Sequence, residues 1–428
     1  GSTDLAFTED VEGRFRSMGW RTIEVDGHDQ GAVDEAIHAA KAVDEAPTLI
    51  VCHTHIGYGS PNKQDTASAH GSPLGPEEIA LTKEAIGWPP GVEFEVADEV
   101  YGLFRGHMTG GTAARRAWEQ RRDAAFAAEP DLADRWAGYW GGFEAEVGSL
   151  GVAPGEKMAT RAASGKALNA LAGRVPNLVG GSADLTPSNN TYIDGSPEFQ
   201  ASSPEGRNHR FGVREHAMGA ALNGMALHGG LRPYGGTFLV FNDYMRPATR
   251  LAALMGTPSI FVYTHDSFFL GEDGPTHQPV EHLASLRAMP GMWVIRPGSP
   301  SETAEAWEMA LARTDGPTCL VLTRQGVPEF EREAGSARRG GYVARPGEDA
   351  VLVATGSEVG LALEAADLLA AEGMDLRVVS LPCWEAFAAQ GEEYRCAVMG
   401  EGKPIASIEA GATFGWGSIV GADGLSIG

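Results

Sequence analysis

The stretch HDSFFLGEDGPTHQP at 265–279 puts two histidines and three acids within its first thirteen residues. Imidazoles and carboxylates at that density suit three kinds of chemistry: holding a divalent metal, moving protons, or hydrogen-bonding a polyol or an anion. His265, Asp273 and His277 stand 8 and 4 apart, and Gly274 and Pro275 break any helix between the last two. The pair therefore cannot form the one-turn ligand pair of an H-E-x-x-H motif. That weighs against a metal site but leaves it open beside a substrate loop and a plain polar turn.

Three further groups invite chemistry. Glu215 sits where GVR turns into an amphipathic segment. It is either an acid favoured by a helix dipole, about 0.3–1 kcal/mol, or a partly buried carboxyl that exchanges a proton with a ring nitrogen. Phe238, Phe241 and Tyr244 in TFLVFNDY follow i, i+3, i+6 spacing. The spacing predicts one helix face, which is either core or the stacking surface for a flat aromatic cofactor. His70 lies in the loop ASAHGSPLG, exposed or ligand-facing, because Gly71 lets a ligand approach the backbone closely.

These groups need elements to carry them. WRTIEV (20–25), a helical pattern over 30–45 and TLIVCHT (48–54) make a βαβ unit. A Gly-, Ser- and Pro-rich loop follows at 57–75, then a helical connector over 98–148. A second alternation begins near Gly155: a helix over 156–173, strands at NLVGGSAD, RFGV (210–213), SIFVYTH (259–265), MWVIRP (292–297) and TCLVLTR (318–324), with helices between. Residues 325–346 read as a polar linker, and AVLVATG (350–356) opens a third unit with a helix at 357–372. The expected fold is α/β, with three domains built on mainly parallel sheets, the first and third incomplete. Their expected ranges are 1–95, the connector 96–154, the middle domain 155–330 and the last domain 331–428. Open parallel sheets bind ligands beyond the carboxyl ends of their strands. Ser182, Asp184, Ser188, Arg214, Glu215, His265, Asp266, Arg296 and Arg324 all fall at such ends in the middle domain. A shared pocket is the economical explanation.

The bulk numbers do not exclude small anionic substrates. The chain has 428 residues, 43% of them hydrophobic, and a net charge of −24. Only six of its 33 basic residues are lysine. Such acidity disfavours nucleic acid and anionic membranes, although a few arginines can reverse the field inside a cleft. Four cysteines without a C-x-x-C pair argue against a disulfide framework and for a reducing cytoplasm. No apolar run approaches the roughly 20 residues of a membrane span. No signal peptide is visible, and both ends read as cut.

GGSADLTPSN (180–189), FGVREHAM (211–218), RPYGGTFLVFNDY (232–244), THDSFFLGEDGPTHQPVEHLASLR (264–287) and LTRQ (322–325) together resemble transketolase. SPNKQDTASAHGSPLG resembles the late part of that family's first domain, and VLVATGSEV the start of its third. The resemblance implies thiamine diphosphate and a divalent cation (Mg2+ or Ca2+) as cofactors. It implies transfer of a two-carbon ketol unit from a ketose phosphate, of the xylulose 5-phosphate class, to an aldose phosphate, of the ribose 5-phosphate class. Glu215 would hydrogen-bond the aminopyrimidine ring, with Phe241 stacked on it and Phe238 and Tyr244 lining the same pocket. His70 would lie near the diphosphate and the reacting carbons. His277 would bind substrate oxygens and shuttle protons, and Asp273 would read a donor hydroxyl. Arg161, Ser188, His265 and Arg324 would anchor the sugar phosphate.

One departure stands out. The family holds its cation with a G-D-G motif and a downstream Asn, and no G-D-G occurs here. The expectation is an internal stretch of a transketolase whose metal ligands lie outside this chain. The resemblance further implies a homodimer with its site between subunits, and a place in the pentose phosphate pathway or the Calvin cycle. Dihydroxyacetone synthase, deoxyxylulose-phosphate synthase, a catalytically inactive paralogue and a metal-dependent hydrolase are the rival readings.

Overall fold

A computed structural model describes residues 2–89 and 91–428. The chain forms two compact units, 1–122 and 123–428.

In the first unit α1 (Val11–Ser17) leads to β1 (Arg21–Asp26), α2 (Gln30–Lys41) and β2 (Thr48–His53). The strands pair in parallel from Arg21 opposite Thr48 to Asp26 opposite His53, so this is the expected βαβ unit. Asp29 caps α2 by accepting from the Ala32 amide, satisfying one of the free N–H groups of the first turn. The loop at 57–75 is irregular, as its composition predicts, but it is tied down. Glu78 in α3 (Pro76–Ala85) accepts from the Ser60 hydroxyl at 2.5 Å and the Asn62 amide at 2.8 Å.

The connector is helical over α4 (Asp98–Ala128), which straddles the boundary between the units, and α5 (Pro130–Gly141). The helix stops at Gly142, with φ 98°, rather than running to 148.

Among the described residues, the second unit holds two larger sheets and a two-stranded ribbon. The first part begins with β3 (Lys157–Ala159) and α6 (Thr160–Ala172), so the helix expected from 156 starts four residues later. There follow β4 (Leu178–Ser182), α7 (Thr186–Asn189), β5 (Asn208–Arg210), α8 (Glu215–His228), β6 (Arg232–Phe238) and α9 (Asn242–Met255). Then come β7 (Ile260–Thr264), α10 (His282–Arg287), β8 (Trp293–Ile295), α11 (Pro300–Ala312) and β9 (Thr318–Leu322). Six strands order as β5-β4-β6-β7-β9-β8, all parallel. The strand expected at 210–213 instead ends at Arg210, because Gly212 at φ 66° turns the chain away. Two apolar layers cover the sheet. One is built around Leu168, Tyr234 and Trp307, the other around Met218, Met245 and Phe261.

The stretch 325–346 is not a linker. It supplies β10 (Gly326–Pro328), which pairs antiparallel with β3, and β11 (Tyr342–Arg345), the edge of the next sheet. The polar residues between and around these short strands hid both. The second sheet adds β12 (Ala350–Ala354), α12 (Glu358–Ala371), β13 (Leu376–Ser380), α13 (Trp384–Ala388), α14 (Glu392–Met399), β14 (Ile405–Ile408), α15 (Gly417–Val420) and β15 (Leu425–Ile427). Its order is β11-β13-β12-β14-β15, parallel except for β11. The architecture is the mainly parallel α/β fold that the sequence pattern predicts.

Candidate active site

The carboxyl ends of β4, β6, β7 and β9 bring most of the predicted residues of the second unit to one place. The β3–β10 ribbon does the first part of the work. Its register sets Ala159 opposite Gly326, and one step on, the Arg161 amide donates to the Thr323 carbonyl at 3.3 Å. Arg161 and Arg324 are thereby held near each other. Burial lowers the pKa of Arg161, and the neighbouring Arg324 charge lowers it further. Two guanidiniums placed together repel, and a dianion between them relieves that repulsion.

Each arginine is also fixed by the backbone. Arg161 donates to the Ser188 carbonyl at 2.8 Å, and Arg324 to the Leu270 carbonyl at 3.0 Å. Arg324 also pairs with Glu272 at 2.8 Å.

His265 lies at the end of β7, buried, with φ 58°. Its Nδ1 is 2.9 Å from the Thr264 hydroxyl, which accepts from Asn189 at 2.6 Å. Burial pushes its pKa down to about 4, Arg161 and Arg324 push the same way, and Asp273 opposes them. The same electrostatic neighbourhood includes His277. His265 is therefore a neutral ring at pH 7.

The aromatic group is real, but not as one helix face. Phe238 ends β6, a 3-10 turn covers Leu239–Phe241, and Tyr244 lies in the first turn of α9. The chain bends at 239–241 because Leu239 is drawn into the core beneath. Phe238 and Phe241 still lie nearly parallel, 7° apart with centroids at 5.7 Å. Phe238 lies against His265 at 3.8 Å, and Phe241 meets His277 edge-on at 5.3 Å. Tyr244 reaches Phe241 at 5.9 Å and is otherwise exposed.

Glu215 is the first residue of α8 and is 8% exposed. Among the described residues its carboxylate has no hydrogen-bond donor and no ion-pair partner. The residue is largely buried, yet its carboxylate oxygens keep solvent contact, so a donating ligand can reach them.

The site does not recruit every polar strand end. Asp266 and Arg296, expected to face the pocket, instead pair with each other at 2.9 Å inside the protein, together with Glu358. Asp184 is exposed at φ 61°, and Arg214 folds back on the Phe211 carbonyl. His70 is exposed in the first unit, closing a 3-10 turn at 67–69, with Gly71 at φ 70°. Sequence reasoning missed the stack of His28 on Tyr58 at 3.7 Å in that unit. It also missed the grouping of Asp243, Glu281 and His282, whose ligand atoms lie within 4.8 Å of one another. Their separation along the chain left no spacing signal for either.

Three family models match the chain in order. They are the transketolase thiamine diphosphate binding domain over 1–140, the transketolase pyrimidine binding domain over 156–329, and the transketolase-like C-terminal domain over 340–428. The chain belongs to the transketolase family. It is 49% identical to the transketolase of Geobacillus stearothermophilus, over 99% of this chain and 66% of that protein. It superposes on transketolase from Leishmania mexicana with a TM-score of 0.92 at 43% identity, over 100% of this chain and 64% of that one. A transketolase from Pichia stipitis in complex with sedoheptulose-7-phosphate gives 0.93 at 40% identity, over 100% and 65%. The chain thus spans somewhat less than two thirds of the length of these transketolases.

Proposed function

We propose that the protein is a thiamine diphosphate-dependent transketolase, moving a two-carbon ketol unit from a ketose phosphate to an aldose phosphate. The observation that carries this reading is the grouping of Arg161, Arg324, His265, Asp273 and His277 beside the Phe238–Phe241 shelf. A sugar phosphate in the relative from Pichia stipitis supports the substrate class.

The residues fit the cofactor. The donor-free Glu215 carboxylate suits an N–H on an aminopyrimidine, and Phe241, Phe238 and Tyr244 offer flat apolar surface for the ring. When bound, thiamine diphosphate supplies a nucleophilic ring carbon and a sink for the electron pair of the broken C–C bond. Glu215 holds the proton at the ring nitrogen that makes this possible. Arg161, Arg324, the Ser188 hydroxyl and neutral His265 bind the sugar's terminal phosphate, and that binding energy positions the reacting carbons. Asp273 accepts a hydrogen bond from a donor hydroxyl. His277, held edge-on to Phe241, moves protons at the substrate oxygens. The resemblance alone assigns His70 to the diphosphate and the reacting carbons. No G-D-G motif occurs in this chain, and none of its residues is assigned to the divalent cation, Mg2+ or Ca2+.

The same reading makes the working protein a cytoplasmic homodimer. It acts on sugar phosphates in the pentose phosphate or carbon-fixing routes. A coupled assay of the holoenzyme with xylulose 5-phosphate tests it. Turnover with ribose 5-phosphate as acceptor supports the proposal. Turnover with formaldehyde alone would replace it with dihydroxyacetone synthase, and turnover with neither acceptor would end it.

A further inference from the structure

The second sheet and its helices carry none of the residues assigned to substrate, yet they hold both ends of the substrate loop at 265–280. At the first end stands Asp266, next to His265 and 2% exposed. Its carboxylate accepts from Arg296 Nε at 2.9 Å. Arg296 is fully buried, and its other contacts belong to the second sheet. Its Nη1 donates to the Thr355 carbonyl and hydroxyl, both at 3.1 Å, and pairs with Glu358.

Its backbone is held by the same elements. The Arg296 amide donates to the Pro382 carbonyl at 2.8 Å, and the Arg296 carbonyl accepts from the Gly356 amide at 3.0 Å. Gly356 has φ 54°, and a Cβ there would lie 2.6 Å from the guanidinium carbon, so glycine is required for this approach.

At the other end, the Ala412 amide donates to the Val280 carbonyl at 2.8 Å. The two anchors are joined, because the Ala410 amide donates to Glu358 at 2.9 Å and Thr355 donates to Glu409 at 2.5 Å. Glu409 is in turn gripped by Arg287, with two bonds of 2.7 Å.

The charges explain why the clamp is stiff. Burial favours neutral Asp266 and raises its pKa, while Arg296 opposes the rise. Burial works against the Arg296 charge, but Glu358 and Asp266 outweigh it and keep the guanidinium charged. A buried guanidinium has no water to turn to, so it stays with its two carboxylates, and any shift of Asp266 breaks a charged bond.

We propose that Arg296 and Glu358 are positioning residues: acting through Asp266, they set His265 against the sugar phosphate, while Ala412 fixes the far end of the same loop. This rests on the reading of 265–280 as the substrate loop.

The test uses Glu358→Gln in the holoenzyme. The KM for the ketose phosphate donor rises about tenfold, while kcat stays within about twofold and the KM for the same ketose without its phosphate barely moves. In a His265→Ala background the substitution adds nothing further, because the two act in series. Equal effects on both donors, a fall in melting temperature with unchanged KM, or additivity with His265→Ala would each overturn the proposal. Should Glu358→Gln fail to fold, Thr355→Val removes the neighbouring hydroxyl, with the same expectations. Hydrogen exchange reads the clamp without turnover: amides at 265–280 exchange faster in the variant, and unchanged exchange overturns the clamp. A parent enzyme that does not transfer ketol units refutes the functional reading alone, since the exchange result still decides the clamp.

Discussion

The His265 imidazole rests against the Phe238 ring, with centroids 3.8 Å apart and planes 31° apart. That contact joins the arginine-lined end of the site to its aromatic shelf. It also keeps the imidazole out of water, which is the main reason its pKa falls to about 4.

A pH dependence follows. An unfolded histidine titrates near about 6.5, and the folded value is lower, so the unfolded chain binds the extra proton between the two. His265 therefore contributes stability that is present above about pH 6.5 and is lost as pH falls through about 4. Melting temperatures of the parent and of His265→Gln, followed from pH 7 to 4, should converge as the pH drops. A gap that stays constant would show that the ring is not held neutral.

Glu215→Gln keeps the shape of the side chain and removes its charge. Turnover should fall about 10²- to 10⁴-fold, the usual range for loss of a proton-transferring group. The melting temperature of the cofactor-free protein should hold, because among the described residues no hydrogen bond or ion pair of the carboxylate is lost. Wild-type turnover in the variant would remove Glu215 from the chemistry.

Arg161→Ala should raise the KM for phosphorylated donors about 10- to 100-fold, the worth of a charged hydrogen bond. Unphosphorylated ketoses should be affected far less. Their KM values, measured side by side, decide whether the Arg161–Arg324 pair reads phosphate. An equal loss on both kinds of donor would mean that it does not.

Trp307 probes the core rather than the site. It is fully buried, and its indole N–H donates to the Ser164 hydroxyl at 2.8 Å. Trp307→Phe leaves that hydroxyl without its partner and should cost about 1–2 kcal/mol of stability. Denaturant unfolding measures it, and kcat should not change.

The elements were legible wherever one pattern ruled a segment. The strands β7, β9 and β12 are short apolar runs closed by polar residues, and all three lie where the sequence places them. The strands β10 and β11 were not legible, because each is only three or four residues long and the polar residues between and around them imitate a linker. The aromatic spacing of Phe238, Phe241 and Tyr244 was read correctly as one surface but assigned to the wrong backbone. A strand end followed by a tight turn can present the same i, i+3, i+6 residues together.

By itself, the sequence determined the α/β class, the order of its units and the residue types available for chemistry. These follow from local periodicity and from the solvation of strand ends. Only the tertiary structure decided which polar strand ends share a site. Arg161 and Arg324 are 163 positions apart in number and meet because the β3–β10 ribbon sets their register. Arg296 and Asp266 look equally available in sequence. The second sheet closes over them, and a buried charge must take the nearest opposite charge rather than wait for a ligand.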